Sequence, residues 1–263
     1  MYEFDYVRAA SLDDAAKRLG SEEAKLVAGG MTLIPTLKLR LAKPSELIDL
    51  AAISSLKGIS EDGNAVVIGA MTRHAEVNRS PVVQKVIPAL AAMAGMIGDP
   101  AVRNRGTIGG SVANNDPAAD YPAAVVALNA TVRTNKREIA ADNFFTGMFE
   151  TALAPDEILT AVRFPKVDAA NYQKFRNPAS RYAIVGVFVA RAGSGVRVAV
   201  TGAGPCVFRV PEMEAALAKS FTPDAIKDIA IKDDGLNSDI HASAEYRAHL
   251  VNVMARRAVA ACG

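Results

Sequence analysis

Along residues 11–19, Leu12, Ala15, Ala16 and Leu19 recur three and four apart, with Asp13, Asp14, Lys17 and Arg18 between them. This predicts a short amphipathic helix, with Ser11 at its N-cap and Gly20 ending it. Lys25-Leu26-Val27-Ala28 reads as a short buried strand leading into Gly29-Gly30. Residues 32–41 are helical in character, with Pro35 tolerable only in the first turn. A second strand at 46–50 completes a β-α-β unit over roughly the first 55 residues. The pattern then predicts a strand at 65–70, a helical stretch from Thr72, an Ala- and Met-rich helix over 81–97 and another helix over 120–128. Strands follow at 130–134, 137–139 and 157–164. Between 98 and 120 the period is lost in Gly, Pro, Asn and Asp. A long irregular segment inside a compact domain usually has a functional task.

Residues 165–171 are polar and read as a boundary. Beyond them the pattern gives strands at 172–175, 183–191 and 197–201, with Gly193-Ser194-Gly195 as a hairpin turn. Helices are expected at 210–219, 223–229 and 243–261. This tail is an α+β unit, sheet first, with helices packed on one face.

The chain has 263 residues, half of them apolar, which suits one large or two medium domains with a sizeable core. A net charge of +2, with no basic run, argues against a nucleic-acid partner. The longest apolar stretches, 89–97 and 182–190, fall far short of the ~20 residues of a transmembrane helix. Met1-Tyr2-Glu3-Phe4-Asp5-Tyr6 lacks the basic start and apolar block of a signal peptide, so the expectation is a cytoplasmic protein. Cys206 and Cys262 are the two cysteines, far apart and without CxxC spacing. A four-cysteine iron–sulfur or zinc site within this chain is excluded, and redox work here would need an organic cofactor. Three histidines without an acidic cluster give no metal site. No Ser-His-Asp or paired-carboxylate arrangement suggests hydrolysis.

Two glycine pairs carry the candidate chemistry. Ala28-Gly29-Gly30-Met31-Thr32 lies at a strand-to-helix junction, where glycine permits a sharp turn and successive N–H groups can point at one anion. Gly106-Thr107-Ile108-Gly109-Gly110-Ser111 repeats that chemistry inside the irregular segment. An isolated pair reads first as a tight turn without a ligand; together the two suit the two sides of a diphosphate. Neither matches GxGxxG or GxxxxGK[ST], which excludes the Rossmann and P-loop readings. Asp120, before a helix, is either an N-cap or a carboxylate for ribityl or ribose hydroxyls.

These two loops, with Asp116-Pro117-Ala118-Ala119-Asp120, resemble the paired FAD loops of one family. It is the FAD-binding (medium) subunit of the xanthine dehydrogenase and aerobic carbon monoxide dehydrogenase family of molybdenum hydroxylases. The resemblance spans essentially the whole chain, through Pro155-Asp156-Glu157-Ile158-Leu159, Tyr172-Gln173-Lys174-Phe175 and residues 239–247. It implies an α+β chain with a two-subdomain FAD-binding domain of the PCMH/vanillyl-alcohol-oxidase-like type (1–56 and 57–168) and a C-terminal α+β domain (169–263). It further implies non-covalent FAD, with the pyrophosphate held by residues 28–32 and 107–111. Ile97 and Leu159 would line the adenine or flavin environment, and Asp120 and Lys174 would make polar contacts to the cofactor. Tyr182 falls where the family places an aromatic near the isoalloxazine; its other reading is a tyrosine packing on the core at a strand start.

The implied partners are an iron–sulfur small subunit and a molybdenum-binding large subunit. Those chains would carry the clusters and the molybdenum cofactor. Electrons would leave to NAD, a quinone or oxygen. Asn114-Asn115 depart from the Ala-His-Ala pattern of many relatives, and residues 176–180 do not match the charged loop of animal xanthine dehydrogenases. Segment 98–120 is the candidate face toward the iron–sulfur protein. The alternatives are a stand-alone FAD oxidase or reductase of the same fold, and a non-catalytic nucleotide-binding assembly module.

Overall fold

The computed structural model describes residues 1–20 and 23–262; Gly263, the end of the expected C-terminal unit, lies outside the described residues. Three sheets organise the larger part of it, and a two-stranded hairpin stands beside them. The first sheet is parallel, with Glu46–Asp49 between Asp5–Arg8 and Ala24–Val27. The edge strand Asp5–Arg8 is largely exposed, so no apolar run announces it; backbone pairing to Glu46–Asp49 makes it a strand. Helix Leu12–Leu19 forms as expected, with the Ser11 hydroxyl accepting from the Asp14 N–H at 3.1 Å. Ala15 and Ile48 anchor a small core, which also takes in Met71 and Ile158 from the next unit.

The second sheet is antiparallel. Leu159–Pro165 lies at its centre, flanked by Ala65–Gly69 and Thr131–Thr134, with Ile59–Glu61 and Glu138–Ala140 outermost. Its core is filled by helices, among them Tyr121–Ala127, every residue of which is buried. The single helix expected over 81–97 is two, Pro81–Val86 and Pro88–Gly95. Pro88 has no N–H to continue the first helix and turns Ile87 out of helical geometry (φ −141°, ψ 72°).

The stretch 98–120 is also not irregular. It contains helices Pro100–Arg103 and Ile108–Asn114, the first capped by Asp99 and the second by Thr107. Gly109 and Gly110 suppress the helical signal, yet they sit inside the second helix. A Cβ on Gly109 would lie 2.6 Å from the Ala70 Cβ, so glycine is what lets this helix lie against the end of strand Ala65–Gly69. The helix ends at Asn115 in left-handed conformation (φ 44°).

The third sheet joins Ala169–Arg176, Ala183–Ala192, Gly195–Thr201 and Phe208–Arg209, all antiparallel. Its first strand begins inside the stretch read as a boundary. The helix expected at 223–229 is a 3-10 turn, Pro223–Ile226. Val185, Val187 and Val189 pack with residues of helices Pro211–Lys219 and Ala244–Ala260. Phe188, Ala190 and Tyr172 point the other way into the core of the second unit. Alternation along one strand therefore ties the C-terminal helices to the N-terminal part. Among the described residues, no helix is long and apolar enough to cross a membrane.

Phe188 is fully buried at this joint and stacks on Tyr172, ring centroids 5.9 Å apart. Phe188→Ala is expected to cost about 3–5 kcal/mol in denaturant unfolding. A loss below about 1 kcal/mol would show that the joint does not hold the molecule together.

Candidate cofactor cleft

Strand Ala24–Val27 ends at Ala28, and the chain turns through Gly29 and Gly30 before helix Leu33–Lys38 begins. Gly30 has φ +72°, the left-handed region that disfavours side chains. Gly29 is needed for a different reason. A Cβ there would lie 2.2 Å from the Arg105 carbonyl oxygen and 2.7 Å from the Gly106 Cα. The two glycine segments thus touch backbone to backbone.

Their hydrogen bonding differs. The N–H groups of residues 29–32 donate to no acceptor among the described residues. In the second segment every N–H from 108 to 111 is engaged: Ile108 with Thr72 O, Gly109 with Ala70 O, Gly110 with Thr107 Oγ1 and Ser111 with Thr107 O. The two turns are therefore not equivalent. Residues 29–32 offer an open set of donors, whereas residues 107–111 form a smooth wall with side-chain hydroxyls.

Between the segments runs a cleft of about 530 Å³. Ala28, Gly29, Gly30, Met31 and Thr32 line one side, and Thr107, Gly109, Gly110 and Ser111 the other. Ile97, Leu159, Asp120 and Tyr182 also reach it, as do Lys25 and Arg181, which sequence reading did not single out. Ile108 and Lys174 do not line it. Ile108 is fully buried beneath the helix, and Lys174 lies one layer behind Asp120.

Asp120 caps no helix, since its backbone is helical (φ −77°, ψ −40°) and its side chain makes no capping bond. Its buried carboxylate accepts from Tyr172 Oη at 2.5 Å and from Lys174 Nζ at 2.9 Å. Burial pushes the Asp120 carboxyl above its usual range, opposed by Lys174 and then by the Tyr172 hydroxyl. Asp120 therefore lines the cleft without capping a helix. It anchors the cleft to the third sheet.

His74 is the residue that sequence reading passed over. It is buried beside Tyr121, ring centroids 5.4 Å apart, and lines the cleft behind the second turn. Its backbone N–H donates to Gly106 O at 3.0 Å, and a Cβ on Gly106 would meet its ring Nε2 at 2.6 Å. Burial, aided by the nearby Arg103 charge, lowers its pKa to about 4. A lone histidine opening a helix carries no signal of this in sequence.

Comparison with known proteins agrees with this geometry. Residues 2–167 match the model of the FAD binding domain in molybdopterin dehydrogenase, and residues 170–262 that of the CO dehydrogenase flavoprotein C-terminal domain. The chain belongs to the FAD-binding medium subunits of molybdenum hydroxylases. It is 38% identical to the nicotine 6-hydroxylase medium subunit of Paenarthrobacter nicotinovorans, over 98% of this chain and 96% of that one. It is 36% identical to the carbon monoxide dehydrogenase medium chain of Hydrogenophaga pseudoflava, over 97% and 96%. A solved structure of carbon monoxide dehydrogenase from that organism superposes with TM-score 0.89 at 34% identity, covering 99% of this chain and 97% of that one. The fold is thus the two-domain flavoprotein fold of this family, as the sequence implied.

For this medium subunit, the fit to FAD rests on its own geometry. A cleft of this volume, with four unengaged N–H groups on one wall and Lys25 and Arg181 in its lining, suits a dinucleotide diphosphate. Gly29→Ala is expected to cost about 1–3 kcal/mol, because the facing backbone must move. Gly20→Ala, whose Cβ would meet no atom closer than 3.5 Å, is expected to change stability by less than about 0.5 kcal/mol. Denaturant midpoints test both, and equal effects would contradict the backbone contact.

His74 also predicts a pH dependence. Its folded pKa lies below the unfolded value, so the unfolded chain takes up a proton that the folded chain refuses. Stability is therefore complete above pH 6.5 and declines as pH falls toward 4, by about 3 kcal/mol at pH 4 from this group. Unfolding of His74→Gln from pH 7 to pH 4 should lose that contribution. An unchanged profile would contradict it.

Proposed function

We propose that FAD lies along this cleft with its diphosphate on the N–H groups of residues 29–32, and that the chain relays electrons out of a three-subunit assembly. The observation that carries the placement is that unengaged row of donors, exposed where the first two sheets' units meet. The Gly29 and Gly30 N–H groups are half-buried, where backbone donors are nearly always paired, and a bound anion would supply the missing acceptors; Met31 and Thr32 lie exposed beside them. Lys25 and Arg181 add positive charge, and the hydroxyls of Thr32, Thr107 and Ser111 are within the lining. Ile97 and Leu159 supply apolar contact for the rings, and Tyr182 flanks the isoalloxazine. Asp120 acts by position, its charge held by Lys174 and Tyr172.

Bound FAD supplies a centre that accepts and releases two electrons; the protein supplies position, electrostatics and exclusion of water. The iron–sulfur clusters and the molybdenum cofactor belong to the small and large subunits, consistent with two cysteines here. The units 1–56, 57–168 and 169–263, the cytoplasmic setting and an acceptor of NAD, quinone or oxygen type complete this reading. Relatives that act on nicotine and on carbon monoxide share the medium subunit's fold, which fits a substrate chosen on another chain.

The assembly should release stoichiometric FAD on denaturation. Gly30→Val should retain less than about a tenth of it, because a β-branched residue resists φ +72° and its Cβ would press on Ile34 at 3.0 Å. The isolated FAD-loaded chain should turn over neither carbon monoxide, purines nor aldehydes. FMN, flavin left on the denatured chain, or substrate turnover by the isolated chain would contradict the proposal.

A further inference from the structure

A second cavity, of about 470 Å³, adjoins the cleft, and the two share Asp116, Ser180 and Tyr182. Tyr182 thus lines both. It is held firmly. Asn177 Oδ1 accepts from the N–H groups of Ala179 and Ser180, the Arg181 N–H donates to Asn177 O, and the Asn177 N–H donates to Tyr182 O at 2.8 Å. Arg181 takes a left-handed turn at φ 64° to allow this.

At the mouth stand Met148 and Phe149, each about half exposed, at the tip of the hairpin formed by Phe145–Gly147 and Glu150–Thr151. Phe149 is itself left-handed (φ 57°), an outlier for a bulky residue. Asn115 imposes it: its carbonyl accepts from the Phe149 N–H, and its amide donates to Gly147 O and Glu150 O, each at 2.7 Å. Strain kept in place by side-chain hydrogen bonds marks a built feature.

The floor is polar but not cationic. Buried Arg247 donates to Ile184 O, Gly202 O and Asp239 Oδ2, and its Nε–H is buried without an acceptor. Asp239 cancels its charge and Asp116 adds a negative one, which disfavours a diphosphate. The hydroxyls of Ser180 and Ser238 and the ring of His241 donate no hydrogen bond among the described residues.

We propose that this cavity is the site of the electron acceptor and takes an uncharged ring oxidant, a quinone, rather than a pyridine dinucleotide; the proposal rests on FAD occupying the cleft. The ring lies between Tyr182 and Phe149, and the free donors serve its carbonyl oxygens. Because Tyr182 lines both cavities, a quinone in the second would receive electrons past its ring singly, rather than hydride by direct ~3–3.5 Å contact with a flavin in the first. A bound, reduced flavin would supply two electrons and release two protons. The quinone gains two electrons across Tyr182 and two protons from water at the open mouth, and leaves as the hydroquinone.

The test uses the FAD-loaded full chain and 1,4-naphthoquinone, with binding read by equilibrium dialysis and flavin reoxidation by stopped flow. Phe149→Asn keeps a residue tolerant of the left-handed turn, and Ser238→Ala removes a donor. Phe149→Asn should weaken naphthoquinone binding and slow reoxidation by about tenfold or more, and Ser238→Ala by a smaller factor. FAD content and reoxidation by ferricyanide should stay unchanged. Naphthoquinone binding indifferent to both substitutions, or displaced by stoichiometric NAD, would overturn the proposal. A purified chain without flavin would defeat the FAD reading instead, while dialysis on that same protein would still report on the cavity.

Discussion

The structure turns on a contact in which no side chain takes part. Gly29 meets the backbone of Arg105 and Gly106 so closely that a single methyl group would part them. That contact brings the parallel sheet unit against the antiparallel one, and the cleft is the gap left beside it. Gly106 in turn leaves room for His74, whose buried ring backs the second wall. Two glycines thus set the shape of the cleft.

The third sheet holds the arrangement from behind. Lys174 and Tyr172 reach from its first strand to Asp120, and Gly186 on the next strand leaves the space the Tyr172 hydroxyl needs, since a Cβ there would approach it to 2.1 Å. A buried ion pair of this kind gives little net stability against an apolar substitute, but losing one partner strands a charge. Its value here is register: it fixes the end of helix Tyr121–Ala127 that faces the cleft.

Much of this was legible in sequence. Strong periods gave the strands at 65–69 and 183–192 and the last helix, and ordered motifs gave the family. What escaped has physical causes. The strand Asp5–Arg8 is exposed and has no apolar signature. The helix Ile108–Asn114 hides behind two glycines whose purpose is packing, not flexibility. The pairing of Asp120 with Lys174 joins residues 54 apart in sequence, and no local pattern encodes it. Both glycine pairs were seen, but only the hydrogen-bond inventory separates open donors from a closed wall.

The central claim is that the first glycine turn, and not the second, supplies the backbone donors to the diphosphate. A structure of the chain with FAD bound measures this directly. The account predicts diphosphate oxygens within hydrogen-bonding distance of N–H groups among residues 29–32, with the N–H groups of 108–111 keeping their internal acceptors. A diphosphate held by the N–H groups of 108–111, with residues 29–32 turned away from it, would contradict the account.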